Sequence, residues 1–269
     1  MIEIIKEHPL YQKFILWRDE RITHSLFKKE YGKQIKLFKD KHKGQRCFII
    51  GNGPSLRVED LELLKDEITF ASNYIFKMYD QTQWRPTYYC NSDLGVLQKI
   101  KNEPLFWKSE AKCNFFQYNA RFILENGFPE NSVCVYLREL KNQAVAFSST
   151  IDKIVYDAAT VTYIMLQLAC YMGFSEIYLL GIDHNYSTTV DSKGEIKRHQ
   201  IRDHFYSRRT EKDNDGGGVA FIEKMEKGYR TARVIAEKKK IAIRNVTRGG
   251  KLEIFERMNL EELFLGRNI

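Results

Sequence analysis

The chain has 269 residues, 43% of them hydrophobic, and a formal net charge of +8. That length and apolar content exclude a disordered or fibrous protein and are enough to bury a real core. The positive balance points to anionic partners such as nucleotides, phosphates or anionic lipid, without choosing among them.

Residues 1–43 are rich in Lys, Arg and aromatic side chains, and Leu10, Phe14, Ile15 and Trp17 recur near helical spacing. They predict a basic helical arm that either lies on anionic lipid or packs on its own domain. Residues 44–269 then read as a single α/β domain. "RCFII" predicts a strand buried on both faces. Gly51, Asn52, Gly53, Pro54 and Ser55 form its exit turn, and "VEDLELLKD" predicts a helix capped by Ser55. "EITFASN" is a second strand ending at Asn73. "TYYCNSD" is a third, ending at Asn91 and Asp93. "AKCNFFQYN" and "SVCVYL" predict two more strands. "AATVTYIMLQLACYMGF" is apolar almost all round, hence a central helix. "EIYLLGID" is another doubly buried strand, ending at Asp183. His184 to Gly218 is polar and shows little regular pattern. "VAFIEKMEKGYRTARVIAEKKK" is an amphipathic helix, "IAIRNVT" a late strand and "NLEELF" a terminal helix.

Alternation of strands and helices predicts a mostly parallel, Rossmann-like sheet with helices on both faces. Ligands of such sheets bind beyond the carboxyl ends of the strands. Asn52, Asn73, Asn91, Asp93 and Asp183 all close apolar runs there, which makes them candidate binding residues. The glycines allow unusual backbone angles and close ligand approach. A following helix start would present free N–H groups to an anion. The turn is neither a GxGxxG fingerprint nor a P-loop.

Five cysteines, none in CxxC spacing, fit buried thiols in a reducing cytoplasm rather than a zinc site. The N-terminus lacks the apolar core of a signal peptide. A cytoplasmic protein, with peripheral membrane contact at most, is the expectation. Asp213-Asn214-Asp215 spells the DxD of many metal-dependent glycosyltransferases, but it sits in a polar, glycine-rich stretch instead of at a strand end. No metal site is expected there.

"FIIGNGPSL", "ASN", "YCNSD" and "ATVTY…MGFSEIYLLGID" together resemble the bacterial family 42 sialyltransferases. The same segments are similar to a broader group: flagellin-modifying accessory proteins, polysaccharide-associated proteins and the archaeal 6-hydroxymethylpterin diphosphokinase. The resemblance spans about residues 45–185. It implies the sialyltransferase variant of the GT-A glycosyltransferase fold. It implies transfer of sialic acid or another nonulosonic acid from a CMP-activated donor, without metal. The acceptor would be a surface polysaccharide, lipooligosaccharide or protein. Asn52 and Ser55 would then meet donor phosphate or ribose, and Asn73 and Asn91 the donor's sugar or phosphate. Thr160 falls on the family's Thr, while Val161 and Thr162 replace its Ser-Gly. Asp183 matches the family's Gly-Ile-Asp. Tyr186 and Tyr206 are candidates to stabilise the leaving phosphate, and Arg202, Arg208 and Arg209 to clamp it. His204 lies in the region of the family's catalytic histidine and is favoured as base over His184.

Two other classes remain open on the sequence. ATP-dependent pyrophosphoryl transfer to a pterin would need Mg²⁺, with Asp93 and Asp183 as the carboxylate pair. A non-enzymatic protein binding membrane or RNA would use the basic arm, but leaves the strand-end asparagines without a role, so no nucleic-acid partner is expected.

Overall fold

The computed structural model describes residues 9–191, 193–206 and 219–265. Helix α1 (Pro9–Glu30) and the short α2 (Gly32–Lys36) precede β1 (Arg46–Ile50). Next come α3 (Val58–Leu63), β2 (Thr69–Ser72), β3 (Tyr88–Asn91), α4 (Leu94–Ile100) and α5 (Pro104–Trp107). Strands β4 (Cys113–Gln117) and β5 (Ser132–Val135) follow. A return segment holds the two-residue strands β6 (Leu137–Arg138) and β7 (Val155–Tyr156), paired with each other. Then come α6 (Val161–Tyr171), β8 (Glu176–Leu180), β9 (Thr188–Val190), β10 (Ile196–Arg198), α7 (Ile222–Lys238), β11 (Ala242–Asn245) and β12 (Glu256–Arg257).

Eight strands form one sheet in the order β12-β11-β8-β1-β2-β3-β4-β5. Every neighbouring pair in it is parallel. Cys47 through Ile50 are fully buried, which is why β1 reads as an unbroken apolar run. Helix α6 is buried from Thr162 through Tyr171, as its all-round apolar character requires. Helix α7 shows the opposite pattern: Met225, Tyr229, Ala232 and Ala236 form a single buried stripe. Phe27 and Ile35 of the N-terminal helices enter the same core, along with Phe38 just beyond them. All five cysteines are buried and unpaired.

The long polar stretch after His184 is less irregular than its sequence suggests. β9 and β10 form an antiparallel hairpin there. β9 is only half-buried and β10 exposed, so no apolar alternation marks them. The segment between β3 and β4 also holds two short helices without a strong sequence signal. "NLEELF" contains only a 3₁₀ turn, Glu261–Phe264.

From β1 the chain builds one half of the sheet through β2 to β5, then crosses back to lay β8 on the other side of β1. The carboxyl ends of β1 and β8 therefore flank the switch point, where open parallel sheets bind ligands. A short clasp holds these ends together. Gly51 N–H donates to the Leu180 carbonyl at 2.8 Å and Gly53 N–H to the Gly181 carbonyl at 2.9 Å. The Asp183 carboxylate accepts from the Ser55 hydroxyl at 2.7 Å and the Ser55 N–H at 3.2 Å. A Cβ at Gly53 would lie 1.8 Å from Asp183 Oδ2, and one at Gly51 would lie 2.4 Å from the Gly181 carbonyl oxygen. Neither glycine has a positive φ, whereas Gly181 does, at 65°. The turn glycines thus answer a need for space inside the protein, not for unusual backbone angles. This internal packing accounts for both glycines, which also line the cavity at the strand ends. Ser55 is likewise not the helix cap: α3 starts at Val58, and Asp60 accepts the Arg57 N–H at 3.0 Å.

Burial pushes the Asp183 carboxyl above its ordinary range, while the two Ser55 bonds pull it back. The folded chain therefore holds this proton more tightly than the unfolded chain. The stability it contributes is fully present below the unfolded carboxyl pKa and is lost as pH rises through the folded value. Ser55→Ala removes bonds to the charged form and should cost about 1.5–3 kcal/mol at neutral pH. The cost should shrink as pH falls into the carboxyl range, because the raised Asp183 carboxyl takes up its proton there before an ordinary one does; equal costs in denaturant titrations at neutral and acid pH would refute the clasp. Gly53→Ala should destabilise by at least ~1–3 kcal/mol through overpacking, read as a lower midpoint in the same titrations.

Candidate active site

A cavity of about 620 Å³ opens at the switch point, a volume suited to a small organic ligand. The β1 turn supplies Gly51, Asn52 and Gly53 to its wall, and the ends of β2 and β3 supply Asn73 and Asp93. Thr160, Val161 and Thr162 at the start of α6, and Asp183, His184 and Tyr186 beyond β8, complete that side. His204 and α7 residues Lys224 and Met225 also line it.

Asn52 is 8% exposed; its amide donates to the Ser72 carbonyl at 3.0 Å, and its Oδ1 has no partner. Asn73 has a φ of 52°, and its carbonyl accepts the Tyr89 hydroxyl at 2.8 Å. Asn91 does not line the cavity. It lies behind Asn73 and donates to Asn73 Oδ1 at 3.1 Å, so it orients the residue that does. Asp93 caps α4, accepting from Gly95 N–H at 2.7 Å and Val96 N–H at 3.1 Å. Thr160 caps α6 through the Thr162 N–H at 3.3 Å. This helix start, not that of α3, faces the cavity and offers N–H groups to an anion.

His184 is 6% exposed and has a φ of 50°, a strained backbone for a residue that is not glycine. Neither ring nitrogen has a hydrogen-bond partner, and its nearest acid, Glu226, stands 3.7 Å from Nε2. Burial lowers its pKa more than Glu226 raises it, so the ring is neutral at pH 7. His204 is also held below the usual histidine value. Burial is the main cause, partly offset by Asp203 and by a hydrogen bond to the Asn52 backbone. Its ring stacks on Tyr206 at 5.0 Å. Tyr186 lines the cavity, and burial, Tyr229 and the nearby aspartates keep its hydroxyl protonated. Pro54, Ser55, Arg202 and Tyr206 do not line the cavity. Arg202 instead donates to the His204 carbonyl at 2.8 Å, and Tyr206 packs on Tyr74 at 4.7 Å. Arg208, Arg209, Asp213 and Asp215 lie outside the described residues.

Sequence reasoning missed Lys224, Asp157, Glu139 and Gln117, all on the cavity wall. One signal was present: Lys224 and Gly228, four apart, lie on the buried side of α7. A lysine there is the exception that marks a site.

Magnesium would need free carboxylates. Asp183 and Asp203 use both oxygens on Ser55 and Ser187, while Asp93 caps α4 through Oδ1 and Asp157 and Glu139 hold Lys224 through one oxygen each. Among the described residues no group of three or more His, Cys, Asp or Glu side chains is placed to hold a metal ion. Nor is any helix of the described residues long and apolar enough to cross a membrane.

The architecture is shared with a MAf glycosyltransferase from Magnetospirillum magneticum AMB-1, at 16% identity and a TM-score of 0.53. The match covers 83% of this chain and 35% of that one, so this chain spans about a third of its length. The sialyltransferase CstII from Campylobacter jejuni, solved with cytidine-5'-monophosphate, aligns at 14% identity and a TM-score of 0.48. That alignment covers 80% of this chain and 85% of CstII. No curated protein sequence matches. At family level, the 6-hydroxymethylpterin diphosphokinase MptE-like proteins match residues 21–189. The chain belongs to that MptE-like family.

Proposed function

We propose that the protein transfers a sugar from a CMP-linked donor, sialic acid or another nonulosonic acid, to a glycan or protein acceptor in surface polysaccharide biosynthesis. The observation that carries this is His184: a buried, neutral imidazole with both nitrogens unsatisfied, on the wall of the switch-point cavity. Buried polar groups without partners are rare and costly, and persist where a ligand supplies the missing bond. The fold shared with a MAf glycosyltransferase agrees with this chemistry. The protein would work in the cytoplasm, where such donors are made, with peripheral membrane contact at most and no resident metal.

In this mechanism His184 takes the acceptor hydroxyl proton as that oxygen attacks the anomeric carbon. The bond from that carbon to the phosphate oxygen breaks, and the electron pair leaves with CMP. The N–H groups at the start of α6 and the Tyr186 hydroxyl stabilise the departing phosphate. Glu226, 3.7 Å from His184 Nε2, stabilises the imidazolium that forms. His204, tied to the Asn52 backbone, shapes the donor side in this scheme.

The second reading, pyrophosphoryl transfer from ATP to a pterin, is favoured by the family match. In this reading Mg²⁺ would arrive with the nucleotide, since no group of three or more His, Cys, Asp or Glu among the described residues is placed to hold it beforehand.

Thermal shift with CMP, UDP, GDP and ATP, each with and without Mg²⁺, separates the two. CMP alone should stabilise the fold, by about 2.7 kcal/mol at a hundredfold excess over Kd. Preferential stabilisation by Mg-ATP would favour the diphosphokinase. On the chemistry, His184→Asn should lower turnover by about 10²–10⁴ with CMP affinity retained, and His204→Ala should weaken CMP binding as well. The reverse pattern would make His204 the base. Because burial lowers the His184 pKa, kcat should stay flat from pH 7 down past the ordinary histidine value of about 6.5 and fall only below it.

A further inference from the structure

The cavity wall carries a charged cluster that the chemistry above leaves idle. Lys224 is 4% exposed, and its Nζ lies 2.6 Å from Glu139 Oε1 and 2.8 Å from Asp157 Oδ2. The Ala159 N–H also donates to Asp157 Oδ2, at 3.0 Å. Burial works against the ammonium, but its bonds to Asp157 and Glu139 outweigh that and keep it charged. An ammonium has three N–H donors, and two are used. Asp157 Oδ1 and Glu139 Oε2 take no hydrogen bond from any described residue. One donor and two acceptors thus remain at a cluster that lines the cavity.

A purely structural ion pair would gain nothing from open acceptors on a ligand cavity. A second observation points the same way. The unpartnered, more than nine-tenths buried His184 lines the same cavity. A vicinal diol has two O–H donors and lone pairs to accept with, which complements one N–H and two carboxylate oxygens. An anionic group would meet two carboxylates for one ammonium and be repelled. We infer that Lys224, Asp157 and Glu139 form a subsite for the vicinal hydroxyls of a neutral sugar. Its assignment as the acceptor end rests on the glycosyl-transfer reading; its chemistry does not.

Saturation-transfer NMR on the full chain tests it, with methyl β-glucopyranoside as the neutral probe and methyl β-glucuronide as its acidic twin. The neutral glycoside should bind and the glucuronide should bind roughly tenfold more weakly. Asp157→Asn and Glu139→Gln should each weaken the neutral probe by roughly tenfold, since bonds to charged groups are the strong ones. Glu139 has a side chain 72% exposed, so its variant should melt as wild type does and keeps the test valid if Asp157→Asn does not fold. Unchanged binding in Glu139→Gln, or tighter binding of the glucuronide, overturns the subsite. If wild type binds CMP but neither glycoside, the subsite fails and the transferase reading stands. If it binds the neutral glycoside but not CMP, the subsite stands and the transferase reading fails.

Discussion

The structure depends on how closely the ends of β1 and β8 approach. Two backbone bonds and the Asp183–Ser55 pair bring a turn and a strand end together with no room for a side chain between them. Such contact needs glycine at positions 51 and 53. Once it is made, Asp183 is fixed, and the residues after it must leave along one path. His184 takes a positive φ on that path, and Lys251 N–H donates to the Asp183 carbonyl at 2.7 Å from the loop after β11. Three strand ends are thereby locked around one residue, Asp183. The cavity is where this locked rim stops, and its rigidity allows a strained, unsatisfied imidazole to persist beside it.

Around that rim most polar groups satisfy one another. Asn91 serves Asn73, Asp93 serves α4, and Asp203 serves Ser187. Such pairings fix geometry and leave little for a ligand. The exceptions among the described rim residues are few: Asn52 Oδ1, Asn91 Oδ1 behind Asn73, the two nitrogens of His184 and the open side of the Lys224 cluster. Polar groups paid for by burial but left without partners are where binding energy remains to be gained. A wall built this way presents a small number of aimed contacts instead of a general polar surface.

The sheet was legible because a parallel strand buried on both faces leaves an unbroken apolar run, and the run stops where the backbone emerges. That is why Asn52, Asn73 and Asp183 could be placed at strand ends from "CFIIGNGPSL", "ASN" and "LLGID". The sequence could not say which of two neighbouring strand-end asparagines faces the cavity, since both end apolar runs and only side-chain packing separates Asn73 from Asn91. It also could not show that the turn closes on Asp183, which lies 128 residues beyond Ser55. The β9–β10 hairpin escaped because neither strand buries a face. Lys224 escaped because its acids, Asp157 and Glu139, sit in short irregular segments with no periodicity of their own.

The family match has a consequence for how the two halves of the cavity differ. It ends at residue 189, so it includes the glycine turn, the strand-end asparagines, the start of α6 and the segment through Tyr186. It does not include α7, which brings Lys224 to the cavity and Glu226 to His184. Helix α7 is held by close packing: a Cβ on Gly228 would lie 2.5 Å from the Ala158 Cβ, and Tyr229 is fully buried. It is therefore as fixed as the sheet, although it comes from outside the matched segment. The strand-end half of the cavity thus lies within the matched segment. On α7, Lys224 lines the cavity and Glu226 stands beside His184, so a packed helix from beyond that segment carries charge to the other side of the site.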